Sequence, residues 1–416
     1  MKRQDPIIEG QLAERAQETL AAIAADLERT ADEPGPDPTL ASGLSGIALF
    51  YGYLAQSGSA EAGALCEHLI DRSFEEVGRL GLGAQLYTGF TGVAFVAAHL
   101  EGRGLPAQDA DTFDEVDNAL IGHLSRDEWD GDYDLISGLA GIGAYALERM
   151  PSENAADLLK LVVEKLDSLA QEDAGRARWF TPPSLLPPET TERHPDGFYS
   201  LGVAHGWPGA LVVLAGAANA GIEPERSRKL AEMAESALLD ERLAASPSCF
   251  PMIVGPGIEP IPARSAWCYG DPGIAASLLA AADAIGNQAM RDAAIDIALN
   301  AISRPAGDTG VVDASVCHGA AGLAHLYHRV FIGTQDERFR DASTTWFEKT
   351  LELRKEGAGP GGYAVFTPAM DQTWTPDPGF LVGAAGVGLS LLSATFGIEP
   401  QWDRLLLASL RDEANP

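Results

Sequence analysis

The sequence predicts an all-α protein built from seven repeated helical hairpins. A Gly-x-x-Gly motif followed by an apolar segment rich in Ala and Leu occurs seven times, and more charged helical segments lie between the motifs. Among 45 glycines a single match arises by chance, but seven matches spread over 416 residues do not. The motifs begin at Gly43, Gly89, Gly138, Gly206, Gly270, Gly319 and Gly383.

Each repeat has room for two helices, since successive motifs begin 46 to 68 residues apart. The segment after each motif is apolar on nearly all sides, which predicts an inner helix surrounded by protein. Segments such as 60–80 and 155–173 carry apolar residues at spacings of three and four, which predicts outer helices. Residues 1–36 are expected to form an N-terminal helical segment. Paired helices stack into an open solenoid or close into a ring, and periodicity does not choose between these arrangements.

The composition indicates a globular protein and narrows its partners. With 46% hydrophobic and 21% charged residues, the chain can bury a substantial core. The formal net charge of −31 argues against binding to nucleic acids or anionic membranes, and we interpret it as a solvated acidic surface. The longest apolar stretch, residues 209–222, is too short and too rich in Gly and Ala to predict membrane insertion.

The N terminus and the cysteines predict a cytoplasmic location. Residues 1–20 contain Asp, Pro and Glu in place of an uninterrupted apolar stretch, so no secretory signal peptide is expected. Four cysteines are too few to crosslink a chain of this length, which favours thiol or metal chemistry in a reducing compartment.

The residues just before the Gly-x-x-Gly motifs carry the candidate chemistry, because equivalent positions in a ring of repeats point towards one central region. The position before the first glycine is occupied by Ser42, Thr88, Ser137, His205, Tyr269, His318 and Val382. One position earlier stand Ala41, Tyr87, Ile136, Ala204, Cys268, Cys317 and Leu381. Two cysteines and two histidines therefore share matching offsets in repeats four to six.

Cys268, Cys317 and His318 form a ligand set that suits zinc, and we expect one Zn²⁺ per chain. Three protein ligands leave the fourth position open for a substrate, as in catalytic zinc sites. The alternative is that both cysteines are small buried hydrophobic residues and His318 caps its own helix, which leaves the matched offsets unexplained. The residues interpreted as structural, because they lie away from these turns, are Cys66, Cys249, His325 and His328.

Four segments give the chain a family resemblance. GVAHGWPG, WCYGDPG, CHGAAG and GFLVGAAGVG, in this order, resemble the LanC-like lanthipeptide cyclases, and the resemblance spans the chain from the first repeat to the last. In that family fourteen helices form an α,α-toroid, or α/α barrel, of seven inner and seven outer helices with a bound zinc. The resemblance therefore implies ring closure, in a single toroid domain covering residues 1–416.

The resemblance also implies a reaction, the one carried out by the cyclases of class I lanthipeptide pathways. A peptide cysteine thiol adds to dehydroalanine or dehydrobutyrine in a Michael-type addition and forms a lanthionine or methyllanthionine ring. Zinc fits this chemistry, because it converts a thiol that is mostly protonated at neutral pH into the thiolate nucleophile. The attack leaves an enolate, which needs a proton donor.

Four residues are candidates for the catalytic chemistry. His205 occupies the same turn position as His318 but lies outside the zinc set, so it is the candidate acid, and the resemblance gives it the same role. Asp134 matches a family aspartate that would orient His205, with an ordinary helix cap as the alternative. Arg264 matches a family site residue that would bind the enolate oxygen or hold Asp134. Tyr269 is a further candidate through its hydroxyl, with simple packing as the alternative.

The partner implied by the resemblance is a dehydrated precursor peptide, leader plus core, and the candidate partners extend to a lanthipeptide dehydratase and a transporter. Two other functions stay open at this point. One is an enzyme of the same toroid that adds glutathione or another small thiol to dehydrated residues. The other is a non-catalytic zinc-containing protein that binds peptides. An α,α-barrel glycosidase is disfavoured because it would need paired acids at the turn positions.

Two proline-rich segments, residues 179–200 and 249–267, do not follow a helical pattern. We expect them to form loops that lead to the site. Whether they contact the substrate is left open, since proline-rich loops are also ordinary connectors.

Overall fold

The computed structural model describes residues 5–31, 35–101, 103, 110–126, 128–244, 246–367 and 373–410. Helices dominate these residues, as the sequence predicts. The helices are α1 (Gly10–Ala31), α2 (Leu44–Gln56), α3 (Ala60–Leu80), α4 (Phe90–Leu100), α5 (Ala110–Leu124), α6 (Leu139–Arg149), α7 (Glu153–Leu169), α8 (Pro188–Arg193), α9 (Trp207–Asn219), α10 (Pro224–Asp240), α11 (Asp271–Ile285), α12 (Gln288–Ser303), α13 (Ala320–Thr334), α14 (Glu337–Glu352) and α15 (Ala384–Phe396).

Short antiparallel strand pairs lie in the connections between helices. The strands are β1 (Gln171–Asp173), β2 (Arg176–Arg178), β3 (Tyr199–Ser200), β4 (Ile253–Val254), β5 (Val365–Thr367) and β6 (Thr373–Thr375). β1 pairs with β2, β3 with β4, and β5 with β6. The short helix α8 lies inside the proline-rich segment 179–200, where the sequence predicts only a loop, and begins at two prolines that fit a helix N terminus.

The Gly-x-x-Gly motif marks the start of a helix in all seven repeats. In each repeat the first glycine is the N-cap residue and the helix begins at the next residue. The turn before the motif supplies acceptors for the first helical N–H groups, which have no partner inside the helix. In the third repeat, for example, Leu139 N–H and Ala140 N–H donate to the carbonyl groups of Asp132 and Tyr133 at 3.1 Å.

Both glycines of the motif are needed because the preceding turn passes very close to the helix. A Cβ atom at Gly138 would lie 2.2 Å from the carbonyl oxygen of Asp132, and one at Gly141 would lie 2.5 Å from that of Leu135. In each case the carbonyl belongs to the residue six positions earlier. Side chains larger than hydrogen are therefore excluded, and the repeat pattern has a steric cause.

The helices fall into the two predicted types. Those after the motifs are buried on all sides, and in α9 every residue from Trp207 to Ala217 is buried. The alternate helices bury one face, as in α3, where the buried positions include Cys66, Leu69, Ile70 and Ser73 at helical spacing. The Ser59 side chain caps α3 by accepting the Ala62 N–H at 3.3 Å.

Contacts divide the chain into two compact units. The first unit takes the described residues within Met1–Gly83, Tyr87–Asp109 and Gly310–Trp402, and therefore holds repeats one, two, six and seven. The second unit takes those within Ala84–Leu86, Ala110–Thr309 and Asp403–Pro416, and holds repeats three, four and five.

In the first unit the turns before the motifs are joined by backbone hydrogen bonds. Cys317 N–H donates to Leu381 (3.0 Å), Leu381 N–H to Ala41 (3.0 Å), and Ala41 N–H to Tyr87 (2.9 Å). The first and seventh repeats are thus neighbours, which an open solenoid does not allow. The helix α1 packs against α15 and supplies the amphipathic partner of the last repeat.

The second unit repeats this arrangement. Leu135 N–H donates to the Ala204 carbonyl at 3.1 Å, and Ala204 N–H donates to the Cys268 carbonyl at 3.4 Å. Consecutive turns therefore lie side by side, which brings residues with matching offsets together, as the sequence predicts. No helix in the described part of the chain is both long and apolar enough to cross a membrane.

Candidate functional site

The turn that carries Cys268 precedes α11 and is fixed by its glycine and its backbone. Gly270 has φ of 122°, which favours glycine, and a Cβ atom there would lie 2.0 Å from the Arg264 carbonyl oxygen. Ser265 N–H donates to the Thr309 carbonyl at 2.8 Å. The Cys268 side chain is 6% exposed at the head of this turn.

The turn that carries Cys317 and His318 precedes α13 and is organised by Asp313. The Asp313 Oδ1 accepts the Ser315 N–H at 3.0 Å and the Ser315 hydroxyl at 2.8 Å. The Ser315 Oγ in turn accepts the His318 N–H at 3.3 Å. Burial pushes the pKa of Asp313 upwards, but hydrogen bonds from His318 and Ser315 outweigh it and hold this pKa below its ordinary value.

The three predicted metal ligands are brought together. One sulfur atom each from Cys268 and Cys317 and one ring nitrogen of His318 all lie within 4.8 Å of one another. Ligand atoms around a tetrahedral zinc with bonds near 2.3 Å are about 3.7 Å apart, a separation within this limit. Two soft sulfur donors and an imidazole fit zinc, and they leave a fourth coordination position open.

His205 and Asp134 form a hydrogen-bonded pair in the second unit. The His205 Nδ1 lies 2.7 Å from the Asp134 Oδ2, and the other carboxylate oxygen accepts the Ser137 N–H at 2.7 Å. Asp134 is 1% exposed, whereas the His205 side chain keeps 47% of its surface accessible. Asp134 therefore accepts a hydrogen bond within its own turn, before the helix begins, and contacts the ring of His205.

The His205–Asp134 contact also shifts the pKa of the imidazole. Surrounding protein acts to lower the pKa of His205, but the hydrogen bond and charge of Asp134 outweigh that effect, so this pKa is raised above its ordinary value. With Nδ1 held by Asp134, Nε2 is the nitrogen that can exchange a proton with a substrate.

A second carboxylate, Asp132, lies beside this pair and was not singled out from the sequence. Its Oδ1 accepts the N–H groups of Tyr133 and Asp134 at 2.7 and 3.3 Å. Burial and the charge of Asp134 raise the pKa of Asp132 to about 6. Its negative charge contributes to the raised pKa of His205.

Tyr269 packs beside the acid candidate. Its ring stacks on His205 with the ring centroids 6.1 Å apart, and its hydroxyl lies 3.5 Å from the Ser200 Oγ. Burial raises the pKa of Tyr269 to about 12. The phenol is therefore neutral at physiological pH and can act as a hydrogen-bond donor.

Arg264 approaches the metal-ligand turn and not the aspartate. Its Nη2 lies 3.7 Å from the Cys268 Sγ. Among the described residues, the Asp134 side chain is engaged by His205 and Ser137 only. Of the two roles considered for Arg264, the arrangement favours stabilisation of developing negative charge beside Cys268.

The other cysteines and histidines lie in packed surroundings that favour the structural interpretation. Cys66 donates to the Ala48 carbonyl at 3.2 Å, and burial raises the pKa of this thiol to about 12. Burial and the charge of Asp271 raise the pKa of Cys249 to about 11. His325 and His328 are buried on α13, where the His325 ring lies 4.2 Å from that of Trp402.

The proline-rich segments form the walls of an open groove in the second unit. The groove has a volume of about 670 Å³ and is lined by residues 193–197, 252–253, 256–259 and 261. Pairing of β3 with β4 joins its two walls. The two segments predicted to be loops therefore line a groove in the second unit.

Comparison with known proteins gives three findings. A family model described as "Lanthionine synthetase C-like protein" matches residues 36–407. The chain is 27% identical over 356 residues to "Nisin biosynthesis protein NisC" of Lactococcus lactis subsp. lactis, covering 78% of this chain and 81% of that protein. The structure of "Nisin cyclase" matches with a TM-score of 0.74 at 23% identity, covering 94% of this chain and 97% of that one. This likeness confirms the predicted fold class, an α,α-toroid.

Proposed function

Because the chain belongs to the lanthionine synthetase C-like family, we propose that it is a zinc-dependent lanthipeptide cyclase. Its reaction would be the Michael-type addition of peptide cysteine thiols to dehydroalanine or dehydrobutyrine, which forms thioether rings. The observation that carries the proposal is the clustering of Cys268, Cys317 and His318, three zinc-type donors taken from equivalent turns. The relatives named as nisin biosynthesis protein and nisin cyclase support the same reaction class.

The types of donor atom in the cluster indicate which metal it would bind. Cys268, Cys317 and His318 would hold one zinc ion, and the open fourth position is where a substrate thiol has access. When bound, zinc supplies the activation of that thiol by stabilising the thiolate at neutral pH. The thiolates of Cys268 and Cys317 would donate charge to such an ion, which suits a site whose task is to activate a nucleophile.

His205 is assigned the proton transfer. As the substrate sulfur bonds to the β-carbon of the dehydrated residue, the π electrons of the alkene move towards the carbonyl and form an enolate. The His205 Nε2–H then delivers a proton to the α-carbon, and the proton that the thiol released to solvent replaces the one that the imidazolium has given up. No electrons are gained or lost, because the overall step adds S–H across a double bond. Asp134 holds Nδ1 during this transfer and stabilises the charged ring.

Arg264 and Tyr269 are assigned supporting roles around the enolate. The Arg264 guanidinium is always charged and lies beside Cys268, where negative charge accumulates. Tyr269 stacks on His205, and its neutral hydroxyl is a second donor within the same turn. Donors placed where charge develops lower the barrier without reorganisation.

The substrate in this proposal is a dehydrated precursor peptide, leader plus core. The four cysteines, all within the described residues, are not joined by disulfides, which fits a reducing compartment, and we place the enzyme in the cytoplasm. A dehydratase must act before this enzyme, because the reaction needs an alkene that Ser and Thr lack.

Elemental analysis of cysteine variants tests the metal centre. The parent protein is expected to carry about one zinc per chain, and a Cys268→Ala, Cys317→Ala double variant to carry none. Cys249→Ala is the matched control, since it removes a buried thiol outside the cluster and should keep the metal. A parent protein without zinc, or a double variant that retains it, would overturn the proposal.

A further inference from the structure

The carboxylate of Asp313 is buried and makes more polar contacts than are needed to form its turn. It is 1% exposed. Its Oδ1 accepts both hydrogen bonds from Ser315. Its Oδ2 accepts the Phe366 N–H at 3.1 Å and lies 3.4 Å from the His318 Nε2. Both carboxylate oxygens are therefore committed, and one of them faces a proposed metal ligand.

The other repeats show which of these contacts belong to the fold. An aspartate stands six residues before the first glycine in repeats one, three and seven as well, as Asp37, Asp132 and Asp377. In all four repeats the aspartate Oδ1 accepts the backbone N–H two residues later, which builds the same turn. The turn thus explains one oxygen of Asp313. Among these four repeats a histidine stands five residues after the aspartate in repeat six alone, and the second oxygen of Asp313 lies 3.4 Å from its Nε2.

We propose that Asp313 is the positioning residue of His318 and selects Nδ1 as its metal-binding nitrogen. A histidine ligand usually donates its second N–H to a carboxylate, which fixes the tautomer and the ring orientation and raises the basicity of the ligating nitrogen. With Nε2 directed at Asp313, the proton is held there and Nδ1 is turned to the metal. This inference rests on the proposed zinc site.

The surroundings of Asp313 suit this task. The Ser315 N–H, the Ser315 hydroxyl and the Phe366 N–H fix the carboxylate in place through three hydrogen bonds. Ser315 also holds the backbone of His318 through its N–H. A Cβ atom at Gly319 would lie 2.4 Å from the Asp313 Oδ1, so only glycine allows the carboxylate to reach this position. The histidine is therefore oriented at both its backbone and its ring.

Zinc affinity of two matched aspartate variants tests the inference. Asp313→Asn keeps an oxygen for the turn but places an amide donor against Nε2, which favours the wrong tautomer. Asp377→Asn makes the same change in repeat seven, where Val382 takes the place of the histidine. Competition with a chromogenic chelator should show zinc binding weakened by about 10- to 100-fold in Asp313→Asn and unchanged in Asp377→Asn.

Nuclear magnetic resonance gives a readout that a purely structural role would not produce. In the zinc-loaded parent protein labelled with ¹⁵N-histidine, Nδ1 of His318 should show the shift of a metal-bound nitrogen, and Nε2 should carry a proton. The signals are assigned by their loss in His318→Asn. Coordination through Nε2, or equal zinc affinity in the parent and Asp313→Asn, would overturn the inference while leaving the zinc site intact. A parent protein that binds no zinc would overturn both.

Discussion

At the scale of single residues, each of the two histidines in the candidate site lies beside a buried carboxylate. Asp134 holds Nδ1 of His205 at 2.7 Å, and Asp313 faces Nε2 of His318 at 3.4 Å. The first contact raises the pKa of an imidazole that we propose as a proton donor, whereas the second would orient an imidazole that we propose as a metal ligand. The proposed mechanism therefore gives one residue type two tasks, which differ in what the free nitrogen of each ring would face.

The pH dependence of ring formation tests the control of His205. Asp134 raises the pKa of His205, so the acid form persists to higher pH than in an ordinary histidine, and the rate should fall as the pH rises through this raised pKa. Asp134→Asn removes the charge that raises the pKa, so the alkaline limb of kcat/KM should move to lower pH. Asp132→Asn should move it the same way by less. An alkaline limb that stays in place in both variants would exclude His205 as the acid.

The role of Arg264 is tested by Arg264→Lys, which keeps the charge and removes the planar fork of donors. If the guanidinium stabilises the enolate, the rate should fall by roughly 10²- to 10³-fold, since loss of one such donor has this effect on developing charge. Zinc content should stay at the parent level. Loss of zinc from the variant would instead make Arg264 a support of the Cys268 turn.

The residue scale also shows the limits of sequence reasoning. Comparing offsets found Cys268, Cys317, His318 and His205, because turns of equal geometry place equal offsets side by side. Asp313 was missed although the six-residue offset is visible in four repeats. The contact between Arg264 and Cys268 was not foreseen, since side-chain direction depends on the packed turn and not on spacing.

At the scale of elements, the Gly-x-x-Gly motif predicts where a buried helix begins, because only glycine leaves room for the turn that precedes the helix. In the first repeat a Cβ atom at Gly46 would lie 2.5 Å from the Leu40 carbonyl oxygen and 2.8 Å from the Phe380 nitrogen. The motif therefore predicted the start of every buried helix. The strands and α8 were not predicted. The pairing of β3 with β4 joins segments that are distant in sequence, whereas the other strands and α8 are three to six residues long and too short to show a periodic pattern.

Two glycine substitutions test this steric account by thermal unfolding. Gly46→Ala places a methyl group against backbone atoms that cannot move aside, and should lower the free energy of unfolding by at least about 1–3 kcal/mol. Gly78→Ala lies within α3, where no atom is within 4 Å of the added Cβ, and should raise it by roughly 0.5–1 kcal/mol. A Gly46→Ala protein as stable as the parent would contradict the account.

At the scale of the whole molecule, the resemblance in the sequence and the match in structure agree on the fold. Periodicity alone left an open solenoid and a ring as alternatives. Contacts between the first and seventh repeats, such as Leu381 N–H with Ala41, depend on residues at opposite ends of the chain, and no local pattern encodes them. That residues 1–416 form a single domain stays a prediction.

The most direct test of the proposed function follows the thiols of a dehydrated peptide that carries cysteines, dehydroalanine and dehydrobutyrine, with its leader attached. The parent protein is incubated with this peptide in the presence of glutathione, free thiols are alkylated, and the products are weighed by mass spectrometry. The account predicts that alkylatable thiols disappear without a change in peptide mass, much faster than without enzyme, and that His205→Ala loses most of this rate while keeping its zinc. Two results would contradict the account. One is a peptide whose mass has increased by that of glutathione, and the other is a peptide whose thiols disappear no faster than in the control without enzyme.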